Sequence, residues 1–200
     1  MRKLFALFFL ICTLSLSAQD AATFDGHNWK APYQLATPEG WGIERFLLPA
    51  NFAPEIKYKG VEDIRFAPGW SKKASEEYWS YLFLWYLDGD VKQDAKSIEQ
   101  YLKDYYTGLL KANGPNIPKE KLIPVVASVQ AINPNTFQGT ITMLDYMQQQ
   151  KITLNATIHV LSCKQTGKTY IIHQLSPQPF QHRIWKSMDG MREQFVCDAK

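Results

Sequence analysis

The pattern of hydrophobic and polar positions is organised around residues 78–87, YWSYLFLWYL, which contain no charge, proline or glycine. In an extended chain, alternate side chains point to opposite faces, and here both faces are apolar. A buried helix is the alternative, but about three helical turns need a longer segment, and aromatic residues favour a strand. The pattern therefore predicts a central strand that is covered on both sides. One face would carry Trp79, Tyr81, Phe83, Trp85 and Leu87, and the other Tyr78, Ser80, Leu82, Leu84 and Tyr86.

A helix is predicted over residues 94–112, directly after this strand. Its apolar residues recur at spacings of three and four and form one stripe: Ile98, Tyr101, Leu102, Tyr105 and Leu109. Ser97 and Gln100 have the spacing of a capping box at the start of the helix. Gly114 and Pro115 are typical of its end.

The remaining apolar runs predict strands and one more helix. The strands are expected at residues 43–48, 61–67, 125–132, 136–147, 151–163 and 168–175. The connections in the second half are short enough for antiparallel hairpins. An amphipathic helix is expected over residues 181–197, although Gly190 weakens it by roughly 1 kcal/mol relative to alanine. This order predicts an α+β fold, a mainly antiparallel twisted sheet with a long middle helix and a C-terminal helix packed on it.

The N-terminus has the form of an export signal. Arg2 and Lys3 precede an apolar run that is too short to span a bilayer, and small residues follow it. These features predict a cleaved signal peptide over residues 1–18. No small residue directly precedes Cys12, so we expect no lipoprotein anchor and a periplasmic or secreted protein.

After removal of the signal, the chain is expected to have a flexible lead-in over residues 19–32 and a single domain over residues 33–200. Two of the 22 basic residues lie in the signal, so 20 remain against 19 acidic residues. This balance gives no reason to expect nucleic acid or an anionic membrane as a partner. No later apolar run approaches the roughly 20 residues of a membrane span. The expected partner is an envelope protein or a small ligand.

The element order and one turn resemble the PsbP-like/DcrB-like group of exported α+β domains. The segment YQLATPEGW is followed by the long middle helix, the antiparallel meander and the closing amphipathic helix. In that group a Pro-x-Gly-Trp turn follows the first strand, which matches Pro38, Gly40 and Trp41 here. The resemblance implies an envelope or accessory protein without enzymatic activity. The central strand and the segment EDIRFAPGW belong to no motif of that group.

The segment EDIRFAPGW also contains the strongest candidate for a ligand-binding site. Glu62, Asp63, Arg65 and Trp70 lie near a predicted strand end, where carboxylates, a guanidinium and an aromatic ring suit a polar ligand. The alternative is structural: Arg65 pairs with a neighbouring acid, while Phe66 and Trp70 cover the edge of the sheet.

A second functional class is an envelope hydrolase with acid/base carboxylates at Glu62, Asp63 and Glu77. Glu76 and Glu77 cannot form a glycosidase-type pair together, because adjacent strand residues point to opposite faces. No catalytic, nucleotide-binding or metalloprotease motif occurs in the sequence, so no cofactor and no established catalytic residue is expected.

Two histidines form a weak candidate for a metal site. A three-residue loop over 165–167 would pair Lys164 with Lys168, and this register places His159 directly opposite His173. Directly opposed residues have Cβ atoms about 4.5–5.5 Å apart, close enough to share a metal ion. A zinc site needs three or four ligands, however, and the neighbouring residues are poor ones. A cross-strand pair without metal is the alternative.

The two cysteines that remain after signal cleavage, Cys163 and Cys197, are predicted to form a disulfide. The strand over 168–175 runs about 26 Å away from Cys163, and the helix over 181–197 returns about 25 Å. Cys197 should therefore return to the level of Cys163. The bond requires Cα atoms within about 7 Å, so the helix must lie over the face that carries Cys163. An oxidising compartment favours the bond.

Overall fold

A computed structural model of the chain describes residues 24–163 and 166–197. The predicted signal peptide and Cys12 lie outside the described residues. The elements, in chain order, are β1 Gly42–Leu48, β2 Gly60–Phe66, β3 Tyr81–Asp88, α1 Ala95–Asn113, a 3-10 turn Lys119–Lys121, β4 Val126–Asn133, β5 Thr136–Asp145, β6 Gln150–Cys163, β7 Lys168–Ser176 and α2 Arg183–Glu193.

The seven strands form one antiparallel sheet with the order β1-β2-β3-β7-β6-β5-β4. Strand β3 lies between β2 and β7, which confirms that the aromatic segment is interior to the sheet. Helix α1 packs on one face, called here the α1 face, and α2 packs on the other, the α2 face. The predicted α+β fold is confirmed.

Each face of β3 packs against its own helix. On the α1 face, Phe83 and Trp85 are fully buried against Tyr101 and Tyr105 of α1. On the α2 face, Leu82 and Leu84 belong to the cluster that contains the buried α2 residues Ile184, Trp185, Met188 and Met191. The sheet is therefore the middle layer of a three-layer structure, as a strand with two apolar faces requires.

Strand β3 begins three residues later than predicted. Trp79 has a φ of 53°, in the left-handed region, and this interrupts the alternation before the strand starts at Tyr81. Tyr78 and Trp79 consequently both join the core of the α1 face, whereas strict alternation placed Tyr78 on the opposite face. The Tyr78 hydroxyl donates to Oδ2 of Asp145 at 2.5 Å.

The cap of α1 differs from the prediction. Asp94 is the N-cap: its carboxylate accepts from the Ser97 N–H at 2.7 Å, and the Ser97 hydroxyl accepts from the Asp94 N–H at 2.9 Å. The predicted box of Ser97 with Gln100 was wrong, because Ser97 is already the third helical residue and Gln100 donates to Asp104. The helix ends as expected, with the Gly114 N–H donating to the Leu110 carbonyl.

The β6–β7 register also differs from the prediction. Cys163 pairs with Lys168, so four residues separate the two strands, and the N–H groups of Thr166 and Gly167 donate to the Cys163 carbonyl. Ile158 therefore faces His173, and the predicted opposition of His159 and His173 was wrong. Because the side-chain period of a strand is two, this shift of one residue puts the two histidines on opposite faces.

The segment before β1 packs against the sheet in its described part. Trp29 contacts the rings of Tyr33 and Tyr86, with centroids 5.9 and 6.3 Å apart, and the Arg45 guanidinium lies over the Trp29 ring. Within the predicted lead-in, Phe24 and Trp29 therefore form ring contacts, whereas Asp25, His27, Asn28, Lys30 and Pro32 are exposed.

The structure places the two cysteines at bonding distance. Their Sγ atoms are 2.09 Å apart and their Cα atoms 6.3 Å apart, which confirms the predicted pairing of Cys163 with Cys197. Helix α2 is shorter than predicted and ends at Glu193, but it lies over the face that carries Cys163, as the bond requires.

Candidate ligand-binding pocket

A cavity opens on the α1 face where α1 does not cover the sheet. The backbone of the helix comes closest to β4 and β5, and its tyrosines Tyr101 and Tyr105 cover β3. The connection between β1 and β2 borders the rest of this face at those two strands. Between this connection, the two strands and the second half of α1 lies a pocket of about 780 Å³. This volume falls within the roughly 300–1,000 Å³ that is typical of small-molecule sites.

The pocket has aromatic walls and a polar mouth. Its deep part is formed by the buried residues Ile64, Trp79, Tyr81 and Tyr105. Half-buried side chains continue the wall outward: Phe46, Phe52, Phe66, Trp70, Leu109 and Tyr146. The mouth carries the exposed residues Glu44, Asn51 and Asn113. The site thus suits a molecule that is apolar over most of its surface.

The ring contacts in the wall fix its shape. Phe66 stacks on Trp70 with centroids 4.5 Å apart and planes at 30°. Phe52 packs edge-to-face on Tyr105 at 5.1 Å and on Phe46 at 5.9 Å, which attaches the β1–β2 connection to α1 and to β1. The wall is therefore formed before any ligand arrives, and preformed sites bind with less loss of conformational entropy.

The connection can approach α1 because residue 108 is a glycine. A Cβ atom on Gly108 would lie 1.8 Å from the Phe52 carbonyl oxygen. This contact would be impossible for any other residue without a backbone shift. Gly108 thus sets the distance between the helix and the pocket wall.

One polar atom in the deep wall is unsatisfied. The Trp79 side chain is 1% exposed, and its indole N–H has no hydrogen-bond partner of acceptable geometry among residues 24–163 and 166–197. It lies beside the Tyr78 phenol, with which it interacts electrostatically. Because this N–H has no accessible surface, the Trp79 ring meets the pocket through its carbon atoms.

Glu62 lies behind the pocket wall. Its fully buried carboxylate accepts from the Tyr105 hydroxyl at 2.6 Å and from the Trp85 indole N–H at 2.9 Å. Burial raises the pKa of Glu62 to about 8, because desolvation outweighs the two hydrogen bonds. The carboxyl group therefore positions the Tyr105 ring and titrates near neutral pH.

Asp63 and Arg65 point to the opposite face and form an ion-pair cluster. Asp63 is fully buried and pairs with Arg65 and with Nε of Arg45 at 2.9 Å, and it accepts from the Tyr33 hydroxyl at 3.0 Å. Arg65 also donates to the Thr37 hydroxyl at 2.7 Å. Burial and the neighbouring carboxylate raise the pKa of Tyr33. The cluster attaches the segment before β1 to the sheet, as the structural alternative for Arg65 predicts.

The predicted site residues consequently do not form one site. Trp70 lines the pocket and Glu62 supports its wall, whereas Asp63 and Arg65 lie on the other side of the sheet. Glu77 belongs to the connection before β3, where its carboxylate accepts from the Gly69 N–H at 2.8 Å. The three carboxylates of the hydrolase hypothesis do not converge on a common cleft.

Most of the pocket was not anticipated from the sequence. Phe46, Phe52 and Leu109 come from three separate elements, and only the fold brings them together. One signal was present: Gly108 lies in the interior of a strongly patterned helix, where glycine costs about 1 kcal/mol and so indicates a packing constraint.

The two histidines occupy different environments. His173 is fully buried, stacks on Phe83 at 4.0 Å and bonds to the Tyr101 hydroxyl at 2.8 Å, and burial lowers its pKa to about 3. His159 lies on the α2 face, and burial lowers its pKa as well. Within the described part of the chain, no group of three or more histidine, cysteine, aspartate or glutamate residues could hold a metal ion.

Comparisons with known proteins return no match for this chain among family models, curated proteins or solved structures. None of the helices in residues 24–163 and 166–197 combines the length and the hydrophobicity that crossing a membrane requires.

Proposed function

We propose that this chain is an exported binding or accessory domain that takes a small, mainly apolar molecule into the pocket beside α1. The observation that carries the proposal is the pocket itself, about 780 Å³ with aromatic walls and only a few polar groups at its mouth. This combination of concavity, apolar lining and sparse polar groups is characteristic of ligand sites.

The chemistry of the wall favours a neutral ligand that contains a ring. The stacked rings of Phe66 and Trp70 offer a flat surface, and planar or alicyclic groups pack well against such a surface. Arg45 borders the pocket, but its side chain points to the opposite face, where Asp63 and the Trp29 ring engage it, so it is a poor partner for an anion.

This geometry supports the binding role better than it supports the hydrolase alternative. Paired carboxylates of a glycosidase lie about 5–10 Å apart across a sugar cleft. Here Glu62 and Asp63 point to opposite faces of β2, and Glu77 is bonded to a backbone N–H. Membership of the PsbP-like/DcrB-like group, which implies an accessory role, is part of the proposal and rests on the element order and the turn at residues 38–41.

Export from the cytoplasm is also part of the proposal. The charged and apolar pattern of residues 1–18 supports it, as does a cysteine pair at disulfide distance, which is typical of oxidising compartments. We expect the mature protein to begin near Gln19. The N-terminal mass of exported protein measures this, and a retained signal or an acylated Cys12 would contradict it.

The binding role is tested by titration with N-phenyl-1-naphthylamine, a neutral aromatic probe whose fluorescence rises in apolar surroundings. The variant Leu109→Trp should fill part of the pocket and weaken binding about tenfold or more, equivalent to about 1.4 kcal/mol. The matched control is Leu122→Trp, an exposed position outside the pocket, which should bind the probe like the wild type. Absence of binding to the wild type, or equal affinity in both variants, would overturn the proposal.

A further inference from the structure

The half of the α2 face that α2 leaves open carries a regular array of uncharged polar side chains. The strand register places Ser128 beside Thr140, and Thr140 beside Asn155. The adjacent row contains Gln130, Gln138 and Thr157, one from each of the same three strands. Directly paired residues point to the same face, and neighbouring strands are about 4.8 Å apart. Each row is therefore a line of hydroxyl and amide groups about 10 Å long.

Four of these side chains are available to a ligand in exchange for water, because Ser128, Gln130 and Thr140 are exposed and Gln138 is half-buried. Ser128, Gln130, Gln138 and Thr140 surround a shallow depression of about 290 Å³, and their side chains make no hydrogen bond within the described ranges. Asn155 and Thr157, in contrast, are already bonded to the Gln178 carbonyl and to Gln174. The free groups comprise two hydroxyls and two amides, each of which can both donate and accept.

An aromatic ring completes this depression. Phe180, from the connection between β7 and α2, contributes to its wall and packs against Trp185 with centroids 4.7 Å apart. The connection is held in place at Gln178, whose carbonyl accepts from Asn155 at 3.0 Å and from the Trp185 indole at 3.0 Å. The ring is therefore fixed beside the polar rows before any ligand binds.

The composition of the depression indicates one class of ligand. Its lining residues include no charged side chain, so an ionic ligand would lose hydration without gaining a counter-charge. On α2, Asp189 lies beside Gln174 and pairs with Arg192. An apolar ligand would bury four free polar groups without partners. A neutral molecule that is rich in hydroxyl groups but has one apolar face would satisfy both the amides and the Phe180 ring.

From these observations we infer that the open half of the α2 face is a binding site for a neutral carbohydrate. Pairs of adjacent sugar hydroxyls would bond to Gln130 and Gln138, and the C–H face of one ring would pack against Phe180. The site lies on the side of the sheet opposite to the α1 pocket, so the inference does not depend on the apolar ligand proposed above.

The experiment titrates the disulfide-bonded mature protein with neutral hexasaccharides of β-1,3-glucose, β-1,4-glucose, α-1,4-glucose and β-1,4-mannose units, monitored by amide NMR shifts. We expect at least one to bind and to shift residues of β4, β5 and the segment before α2. Gln130→Leu, an exposed edge-strand change, and Phe180→Leu, which keeps the volume without the ring, should each weaken binding about tenfold. Ile43→Gln, an exposed change on the opposite edge strand β1 and outside both sites, should leave it unchanged.

Several results of this titration would contradict a carbohydrate site on the α2 face. Absence of shifts with all four sugars, or shifts confined to the α1 pocket, would overturn the inference. Unchanged affinity in both Gln130→Leu and Phe180→Leu would do the same. Concentration-dependent dimerisation that Gln130→Leu abolishes would assign this face to a second copy of the chain instead.

Discussion

The substitution Gly108→Ala tests the packing that forms the pocket wall. Alanine is the better helix former, by about 1 kcal/mol, and in an unobstructed helix the change is stabilising. At this position the new Cβ atom would lie 1.8 Å from the Phe52 carbonyl oxygen and 2.7 Å from its carbon. Both atoms belong to the backbone, so no side-chain rotation can relieve the contact.

The two effects can be compared in magnitude. Overpacking that forces a backbone shift costs about 1–3 kcal/mol, and the gain in helix propensity offsets about 1 kcal/mol of it. Because the close contacts are with backbone atoms, the overpacking cost should lie in the upper part of this range, about 2–3 kcal/mol. We therefore expect Gly108→Ala to lower the free energy of unfolding by about 1–2 kcal/mol net. The matched control is Gly190→Ala in α2, where the nearest atom to the new Cβ is the flexible Gln194 Nε2 at 3.9 Å. That change should raise the free energy by about 0.5–1 kcal/mol.

Urea unfolding of the two variants beside the wild type measures both values, and the linear extrapolation gives the free energies. N-phenyl-1-naphthylamine should also bind more weakly to Gly108→Ala, because the shift moves Phe52 away from Tyr105. If Gly108→Ala stabilised the protein as much as Gly190→Ala, the β1–β2 connection would not lie against α1. The position described here for the pocket wall would then be wrong.

Three further predictions follow from the core. Trp85→Ala should lower the free energy of unfolding by about 3–5 kcal/mol, because it empties a large buried site; a loss under about 1 kcal/mol in chemical denaturation would contradict its burial. Between pH 6.5 and 8.5, stability should fall as pH rises, because the raised pKa of Glu62 makes the folded state bind more protons than the unfolded state. The lowered pKa of His173 affects stability only below this pH range. The free energy of unfolding of Glu62→Gln should therefore depend less on pH between 6.5 and 8.5 than that of the wild type. An equally steep decrease in the variant would refute the raised pKa of Glu62. Titration of thiols in denatured, unreduced protein should find no free thiol at Cys163 or Cys197, and two free thiols would exclude the bond. Cys197→Ser should lower the free energy of unfolding by roughly 3–4 kcal/mol.

The sequence predicts the elements of this fold well, because its apolar patterns are long and unambiguous. Residues 78–87 have two apolar faces, and only an interior strand with a helix on each side buries both. The pairing of Cys197 with Cys163 is confirmed, but α2 covers only Arg183–Glu193, so the helix supplies less of the return than predicted and residues 194–197 complete it. Such features depend on periodicity and length, which are properties of the local sequence.

The errors arose where a single backbone conformation decided the outcome. The left-handed φ of Trp79 ended the alternation before β3, and the four-residue connection after Cys163 shifted the register of His159 by one residue. Neither feature has a strong sequence signal, because tryptophan rarely adopts that conformation and one glycine fits turns of several lengths.

The candidate site was less predictable than the fold. Sequence proximity grouped Glu62 with Asp63, but adjacent strand residues point to opposite faces, so the two acids belong to different clusters. The pocket is instead formed by side chains far apart in the chain, such as Phe46, Trp70 and Leu109. Their convergence depends on how far α1 extends over the sheet, which no local pattern specifies.

The central claim, that the pocket beside α1 binds an apolar molecule, is tested most directly at the tryptophan indoles. In a ¹⁵N-labelled sample titrated with N-phenyl-1-naphthylamine, each indole N–H gives its own NMR signal. The account predicts shifts for Trp70 and Trp79, which line the pocket, and unchanged signals for Trp41 and Trp185, which pack on the α2 face. Unchanged signals from Trp70 and Trp79, or shifts confined to Trp41 and Trp185, would contradict it.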